Sequence, residues 1–379
     1  MKVKPLVLIT TSFPIAGDGS EAAGSFVADL VEELAKSIPV RVVAPGPIAA
    51  REQWSDAVEV FRYAAPAQAL STLKLWRLAD LRWLNIVLRG GLQATRQAVG
   101  DDACHIFALW ALPCGEWARK IAKEKSIEYS VWMLGSDIWS LGKIPVIKNI
   151  LALTIRRAKN AYADGYQLAD DAQYIAKVPV QFLPSTRRIE TRNPLVPRNK
   201  APYRLLFLGR WHPNKGIDLL LEALIMLPNE DWTLIEKVEI QGGGAMESFV
   251  REKVEALQKA GRPVELGQYL SKSEAELAMV RNDWVLIPSR IESIPVVFSD
   301  AMKLGRPVVA MPVGDLPVLV ENKSGILVSG VSAAAYCQAL QQAIHGSPEV
   351  FKLGIAACAR EFQLDLLAKK IVQEIVSHE

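Results

Sequence analysis

The chain has 379 residues, half of them hydrophobic and 22% charged, with 44 Lys plus Arg set against 41 Asp plus Glu. At roughly 100–200 residues per domain this length argues for two domains, and the apolar content excludes a disordered chain. A formal net charge of +3 argues against a nucleic-acid binder, no apolar run approaches the roughly 18–20 residues of a bilayer span, and four cysteines without paired spacing are no disulfide framework.

Leu6-Val7-Leu8-Ile9 opens the pattern. It reads as a buried strand and not a signal peptide, because the run breaks at Thr10-Thr11-Ser12 with no small-residue cleavage site after it. A helical stretch over 26–34 and a β-branched run over 40–44 complete a βαβ unit, and another strand is expected over 104–108. Residues 73–96 hold Lys74, Arg77, Arg82, Arg89 and Arg96 against Asp80. Trp76 and Trp83 fall on the other side of a helical wheel, and Gly90-Gly91 is expected to interrupt the helix. Two readings stand: a helix with its Trp residues packed inside, or an interfacial segment meeting anionic lipid. Residues 183–202, with Pro184, Pro194, Pro197 and Pro202, read as a linker, and their bases as simple solvation. The rhythm restarts with a strand over 203–208 and a helix over 217–227. Strands over 237–240, 284–287 and 307–310 follow. The fold class is therefore α/β, two parallel-sheet halves with ligands expected outside the carboxyl ends of the strands and both halves contributing to one cleft. The expected setting is a reducing cytoplasm.

Two stretches of the second half carry chemistry. In Gly209-Arg210-Trp211-His212-Pro213-Asn214-Lys215-Gly216, two cations leave a strand end together and flank a turn into a helix. Arg as a planar fork and Lys as a point charge can clamp a diphosphate there; the alternative is a solvated loop. In Pro288-Ser289-Arg290-Ile291-Glu292-Ser293-Ile294-Pro295, Pro295 suits the first turn of a helix and Ser293 its cap. The helix end then offers free amides near Ser293 and Ile294 to a phosphate. Glu292 lies in the loop and Asp300 inside the helix, at different depths of the same cleft. The alternative is a capped helix with two solvated carboxylates.

Together these stretches resemble the donor half of glycosyltransferase family 4, the retaining group 1 glycosyl transferases of the GT-B fold, with two Rossmann-like domains facing across a cleft. Gly209-Arg210 with Lys215-Gly216, the turn Gly242-Gly243-Gly244, Glu292 with Asp300 eight positions on, and Gly314-Asp315-Leu316-Pro317 running to Gly325 carry the resemblance. It implies that Arg210 and Lys215 hold the donor diphosphate, that Glu292 sits by the sugar and that Asp300 holds the ribose. Base contacts fall near Gln268-Tyr269-Leu270. In the first half, Ser12-Phe13-Pro14 with Gly24-Ser25-Phe26 resembles the glycine loop that approaches the donor phosphates. Trp110-Ala111-Leu112-Pro113 and Leu134-Gly135-Ser136-Asp137 resemble stretches on the acceptor side. Gly17-Asp18-Gly19-Ser20-Glu21-Ala22 fits a dinucleotide fingerprint, but it starts eight residues past the strand and the next strand ends in Pro45-Gly46 without an acid, which argues against a nicotinamide or flavin site.

The chain departs from the family at three places: Asp300 where Glu is usual, and Leu109 and Leu134 where His is frequent. Asp137 becomes the polar candidate for orienting an acceptor, and His105 reads as structural. The resemblance implies domains over 1–190 and 203–360, a linker over 191–202, and a helix over 361–379 returning to the first domain. It implies a hexosyltransferase-like enzyme that moves a sugar from a UDP or GDP donor to a glycan or lipid-linked acceptor, in bacterial surface-polysaccharide assembly. No cofactor is expected, and no metal, since no Asp-x-Asp pair or His/Cys cluster with ligand spacing is present. Nucleic acid is not an expected partner, and peripheral contact with the inner face of the plasma membrane through 73–96 is the membrane expectation. The rival reading is a catalytically weak nucleotide-sugar-binding or partner protein of the same fold.

Overall fold

A computed structural model describes residues 3–15, 24–66, 77–192, 194–321 and 323–376. The fingerprint at 17–22, Lys74 and Trp76 lie outside the described residues. The chain divides into two compact units, one of residues 1–187 with 364–379 and one of residues 188–363.

The first unit is built on β1 (Leu6–Ile9), β2 (Val40–Gly46), β3 (Ala50–Ser55), β4 (Val58–Ala64), β5 (His105–Leu109), β6 (Glu128–Met133), β7 (Ala161–Ala163) and β8 (Gln181–Phe182). They lie in the order β3-β4-β2-β1-β5-β6-β7-β8, parallel except where β3 pairs antiparallel to β4 at the edge. All four side chains of β1 are fully buried. Alternation along the strand explains this: Leu6 and Leu8 join one apolar cluster while Val7 and Ile9 join another, one on each face of the sheet. The helix Leu364–Val376 supplies Leu364, Leu367, Ala368 and Ile371 to the first of these clusters and packs along the helix Ser25–Ala35.

The helix Leu78–Val99 runs unbroken through Gly90-Gly91, contrary to the expected interruption. The reason is packing. A Cβ on Gly91 would lie 2.2 Å from the indole of Trp117, so the missing side chain admits the ring and helix geometry tolerates the glycine. The buried residues of this helix all lie from Val87 onward; Leu78, Leu81, Ile86 and Leu88 are exposed beside Arg77, Arg82 and Arg89. Among the described residues no helix is long and apolar enough to cross a membrane.

The second unit carries β9 (Tyr203–Arg210), β10 (Ile235–Gly243), β11 (Val264–Leu266), β12 (Trp284–Ile287), β13 (Val308–Ala310) and β14 (Gly325–Leu327). Their order is β11-β10-β9-β12-β13-β14, all parallel. β9 is central, so loops leaving β9, β10 and β12 meet at one edge. The Pro-rich stretch is fastened to this unit through its backbone. Buried Glu276 accepts the N–H groups of Glu190 (3.0 Å) and Thr191 (2.9 Å), and Asp283 accepts those of Arg198 and Arg204 (both 2.8 Å). Buried Arg306 donates to the carbonyls of Leu195 and Val280.

Candidate functional site

In the second unit the two quoted stretches come together. β9 ends at Arg210, whose side chain is exposed. The chain then makes a short turn, Pro213–Lys215, capped where His212 accepts the Asn214 N–H (3.2 Å). Gly216 follows at φ 65°, and a Cβ there would lie 1.9 Å from the carbonyl oxygen of Pro288. Only glycine meets both demands. That close approach brings the loop after β9 against the loop after β12. Across it Lys215 and Glu292 form an ion pair, and Ser289 donates to the same carboxylate oxygen (3.1 Å).

Arg290 ties the two loops together. Its backbone N–H donates to Asn214 (2.8 Å), Nη1 donates to the Pro213 carbonyl (2.7 Å), and the guanidinium forks onto Asp218 with two bonds of 2.7 Å. Burial pushes the Asp218 carboxyl up, but the hydrogen bonds and charge of Arg290 overcome this and hold it below its ordinary value. From the other side, Gly314 at φ 55° lies so close that a Cβ would stand 2.1 Å from the Glu292 carbonyl oxygen. The Glu292 loop is thus held on two flanks. Neither Arg290 nor Asp218 was expected to matter; Arg290 lay inside a quoted stretch, but nothing in its spacing names Asp218 as its partner.

Beside this pair, the ends of β9 and β10 pack backbone to backbone. A Cβ on Gly242 would lie 1.9 Å from the Gly209 carbonyl oxygen, and Trp211 donates its N–H to Gly243 (2.8 Å). Tyr269 lies over Gly243, donating its hydroxyl to that carbonyl (2.6 Å) while its ring stays exposed, and Leu270 is half-buried next to it.

Two expectations for the helix after β12 need correction. It spans Val296–Lys303 with Pro295 at the N-cap, so Ser293 does not cap it. The open amides are those of Val296 and Val297, since the Phe298 N–H already returns to Pro295 (2.9 Å). Ile294 is buried, and the Ser293 carbonyl accepts from Asp315 (3.3 Å), which ties this loop to the Gly314 turn. Asp300 lies inside the helix as expected, but it is 1% exposed and sits 3.5 Å from the Lys303 ammonium.

In the first unit, Gly24 takes the N-cap of the helix Ser25–Ala35 at φ 88°, where a Cβ would meet Ser12 at 2.6 Å. Buried Arg62 supports the Ser12-Phe13-Pro14 turn by donating to Pro14 (2.7 Å) and Pro45 (3.0 Å), with Glu52 as counter-ion (2.7 Å). A charge in the middle of an otherwise buried strand was the signal for this residue. Trp110 follows β5 at φ 67°, a conformation rare for a bulky residue. The adjacent Ala111 N–H donates to Asp137 Oδ2 (2.7 Å), and the Ile138 N–H approaches Oδ1 (3.2 Å).

This corrects the reading of Asp137 as an acceptor-facing group. It is 1% exposed, and its carboxylate braces the strained Trp110 turn. Burial raises its carboxyl to about 6, against the pull of the backbone hydrogen bonds. Ser136, by contrast, is exposed. His105 is buried against Ser130 (2.9 Å), and burial lowers it to about 4, so it stays neutral. Among the described residues no group of three or more His, Cys, Asp or Glu is arranged to hold a metal ion.

Comparison with known proteins bears on the family and the fold. Residues 202–345 match the family described as glycosyl transferases group 1. A D-inositol 3-phosphate glycosyltransferase of Geodermatophilus obscurus is 28% identical over 279 residues, covering 69% of this chain and 61% of the relative. The chain thus spans about six-tenths of that protein's length. Among solved structures, sucrose-phosphate synthase from Thermosynechococcus elongatus superposes with a TM-score of 0.70 at 16% identity, and covers 98% of both chains. An E. coli protein solved as "trehalose-6-phosphate … bound with UDP-2-fluoro glucose" gives 0.74 at 12% identity, again over 98% of both chains. At such identities the likeness shows the fold, and the fold is GT-B.

Proposed function

We propose that this chain is a retaining glycosyltransferase of family 4, moving a hexose from a UDP or GDP donor to a glycan or lipid-linked acceptor. One observation carries the reading. Within the group 1 domain, Lys215 and Glu292 face each other across two loops locked by Arg290, with Arg210 exposed at the neighbouring strand end.

That arrangement suits a leaving diphosphate. As the bond from the sugar carbon to the diphosphate oxygen breaks, negative charge grows on the phosphates, and Arg210 and Lys215 neutralise it. The amides of Val296 and Val297 add a weaker positive field. Lys215 is held by Glu292 until a phosphate competes for it, which frees Glu292 to meet the sugar. The acceptor oxygen then bonds to the same face of the sugar, and its proton passes to the departing phosphate oxygen. No step in this sequence calls for a metal, because the two cations already supply the charge. The family resemblance assigns Gly24, within the first unit, to the donor phosphates, and Tyr269 with Leu270 to the base through backbone contacts. Asp300 reaches a ribose only if its contact with Lys303 opens. Trp110 and Ser136 stand on the acceptor side. The UDP-sugar complex of the E. coli protein supports a uridine donor. A setting in bacterial surface-polysaccharide assembly at the cytoplasmic face of the membrane would suit a lipid-linked acceptor.

The test is transfer from radiolabelled nucleoside-diphosphate sugars, run with and without chelator. Turnover undiminished by chelator is the expected result. Activity lost in chelator and restored by magnesium would remove the cation-only mechanism, and donor affinity without hydrolysis or transfer would establish a binding protein in place of an enzyme.

A further inference from the structure

The amino-terminal edge of the first sheet, opposite the edge bearing Trp110 and Ser136, holds an open cleft of about 630 Å³. It lies where the last turns of the helices Glu116–Lys125 and Pro145–Arg157 approach the first residues of β6. Four cations line it: Arg119, Lys123, Arg157 and Lys159. Glu128 is the one carboxylate in the lining.

These four are not equivalent. Arg119 is forked onto Glu116 (2.7 and 2.8 Å), and Lys159 is ion-paired with Glu128. Lys123 and Arg157 come from different helices, are exposed, and make no ion pair among the described residues. Basic residues favour helix C-termini because of the dipole, and this alone would account for Lys123 and Arg157. It does not account for the convergence of cations from two different helices on one cleft together with Ala122, Ile127 and Leu153. Cations set beside carbon in one cleft are the lining expected of a site for a small anion with a carbon skeleton.

We propose that this cleft is a second anion site, distinct from that of Arg210 and Lys215, which takes a phosphate-bearing molecule. The phosphate lies between Lys123 and Arg157, with its carbon skeleton against Ala122, Ile127 and Leu153. Both a soluble phosphorylated metabolite and the headgroup of an anionic lipid offer that chemistry.

The experiment uses the full chain carrying Arg210→Gln and Lys215→Gln, so that the other cation pair is silent, and titrates it calorimetrically with inorganic pyrophosphate. Saturable binding is expected. Adding Lys123→Gln should weaken it by about tenfold, as expected for one charge-assisted hydrogen bond, and Arg157→Gln should weaken it further. Glu128→Gln should tighten it, and salt should weaken it. Both cations are exposed, so the variants keep the fold, which circular dichroism verifies. Sedimentation with phosphatidylglycerol–phosphatidylcholine vesicles separates the sources. Co-sedimentation lost with Lys123→Gln and Arg157→Gln assigns the headgroup, and pyrophosphate binding without sedimentation assigns the soluble ligand. Absence of saturable pyrophosphate binding, or equal affinity with both cations replaced, overturns the proposal.

Discussion

The two units use charge at the carboxyl ends of their strands in opposite ways. In the second unit, Arg290 and Asp218 are consumed in holding two loops together, and this leaves Arg210 exposed and Lys215 paired with Glu292. In the first unit the carboxylate at the corresponding edge, Asp137, is itself the brace, buried against the backbone of Ala111. A charged residue at a strand end is available to a ligand when some other group holds its loop. When it holds the loop itself, the strain it supports, here at Trp110, is the function it already has.

The sharpest way to break this contrast is through turnover. Glu292→Gln keeps the shape of the loop but not its charge, and should lower kcat by about 100- to 1000-fold with donor affinity little changed, if Glu292 acts at the reacting centre. Donor-saturation kinetics give the answer; normal turnover would make Glu292 another brace. Asp300→Ala, inside the helix that follows this loop, is the control, and should raise KM while leaving kcat nearly intact.

Arg290→Ala should come next. It leaves Asp218 without its fork and frees both loops, costing about 2–4 kcal/mol of stability in the second unit. Arg290→Lys restores charge without the fork, so it should recover stability in part while kcat stays depressed. Equal recovery of both would mean that charge alone positions Lys215.

Asp137 provides a pH test. Its folded carboxyl titrates near 6, above the unfolded value of about 3.9, so the folded chain holds the extra proton between them. The stability it contributes is therefore greatest below about pH 4 and falls as pH rises towards 6. Asp137→Asn should abolish that slope. Between about pH 4 and pH 7 the variant should gain on the parent by on the order of 2–3 kcal/mol, read by denaturant unfolding at each pH. No change in the difference would place the carboxylate in water.

The smallest effect is expected at Gly91→Ala, where the new methyl meets the Trp117 ring. Overpacking should cost about 1–3 kcal/mol, partly offset by the better helix propensity of alanine, and a thermal melt measures the balance.

These tests also mark what could be read from residues alone. The strands were legible because parallel sheets bury both faces, which forces runs such as Leu6–Ile9 and Trp284–Ile287. The meeting of the Lys215 and Glu292 loops was legible because their spacing from strand ends resembles that of known glycosyltransferases. What escaped depended on contacts distant in sequence. Gly91 looked like a helix breaker until Trp117, 26 positions on, filled its notch. Arg290 and Asp218 are 72 residues apart, and Asp137 looked available because nothing in its own stretch announces that Ala111 will claim it. Ser293 obeyed the capping preference, yet Pro295 set the helix start two residues later.

The return of the last helix has a consequence for how the protein is made. The first unit's apolar cluster includes Leu364, Leu367, Ala368 and Ile371, residues that leave the ribosome after the whole second unit. Domains tend to fold in the order of synthesis. Here the order inverts: the second unit can complete its core while the first still shows an open apolar groove along the helix Ser25–Ala35. Until the helix Leu364–Val376 docks, the first unit is an unfinished body that a chaperone would recognise, and its maturation waits on residues translated after the second unit.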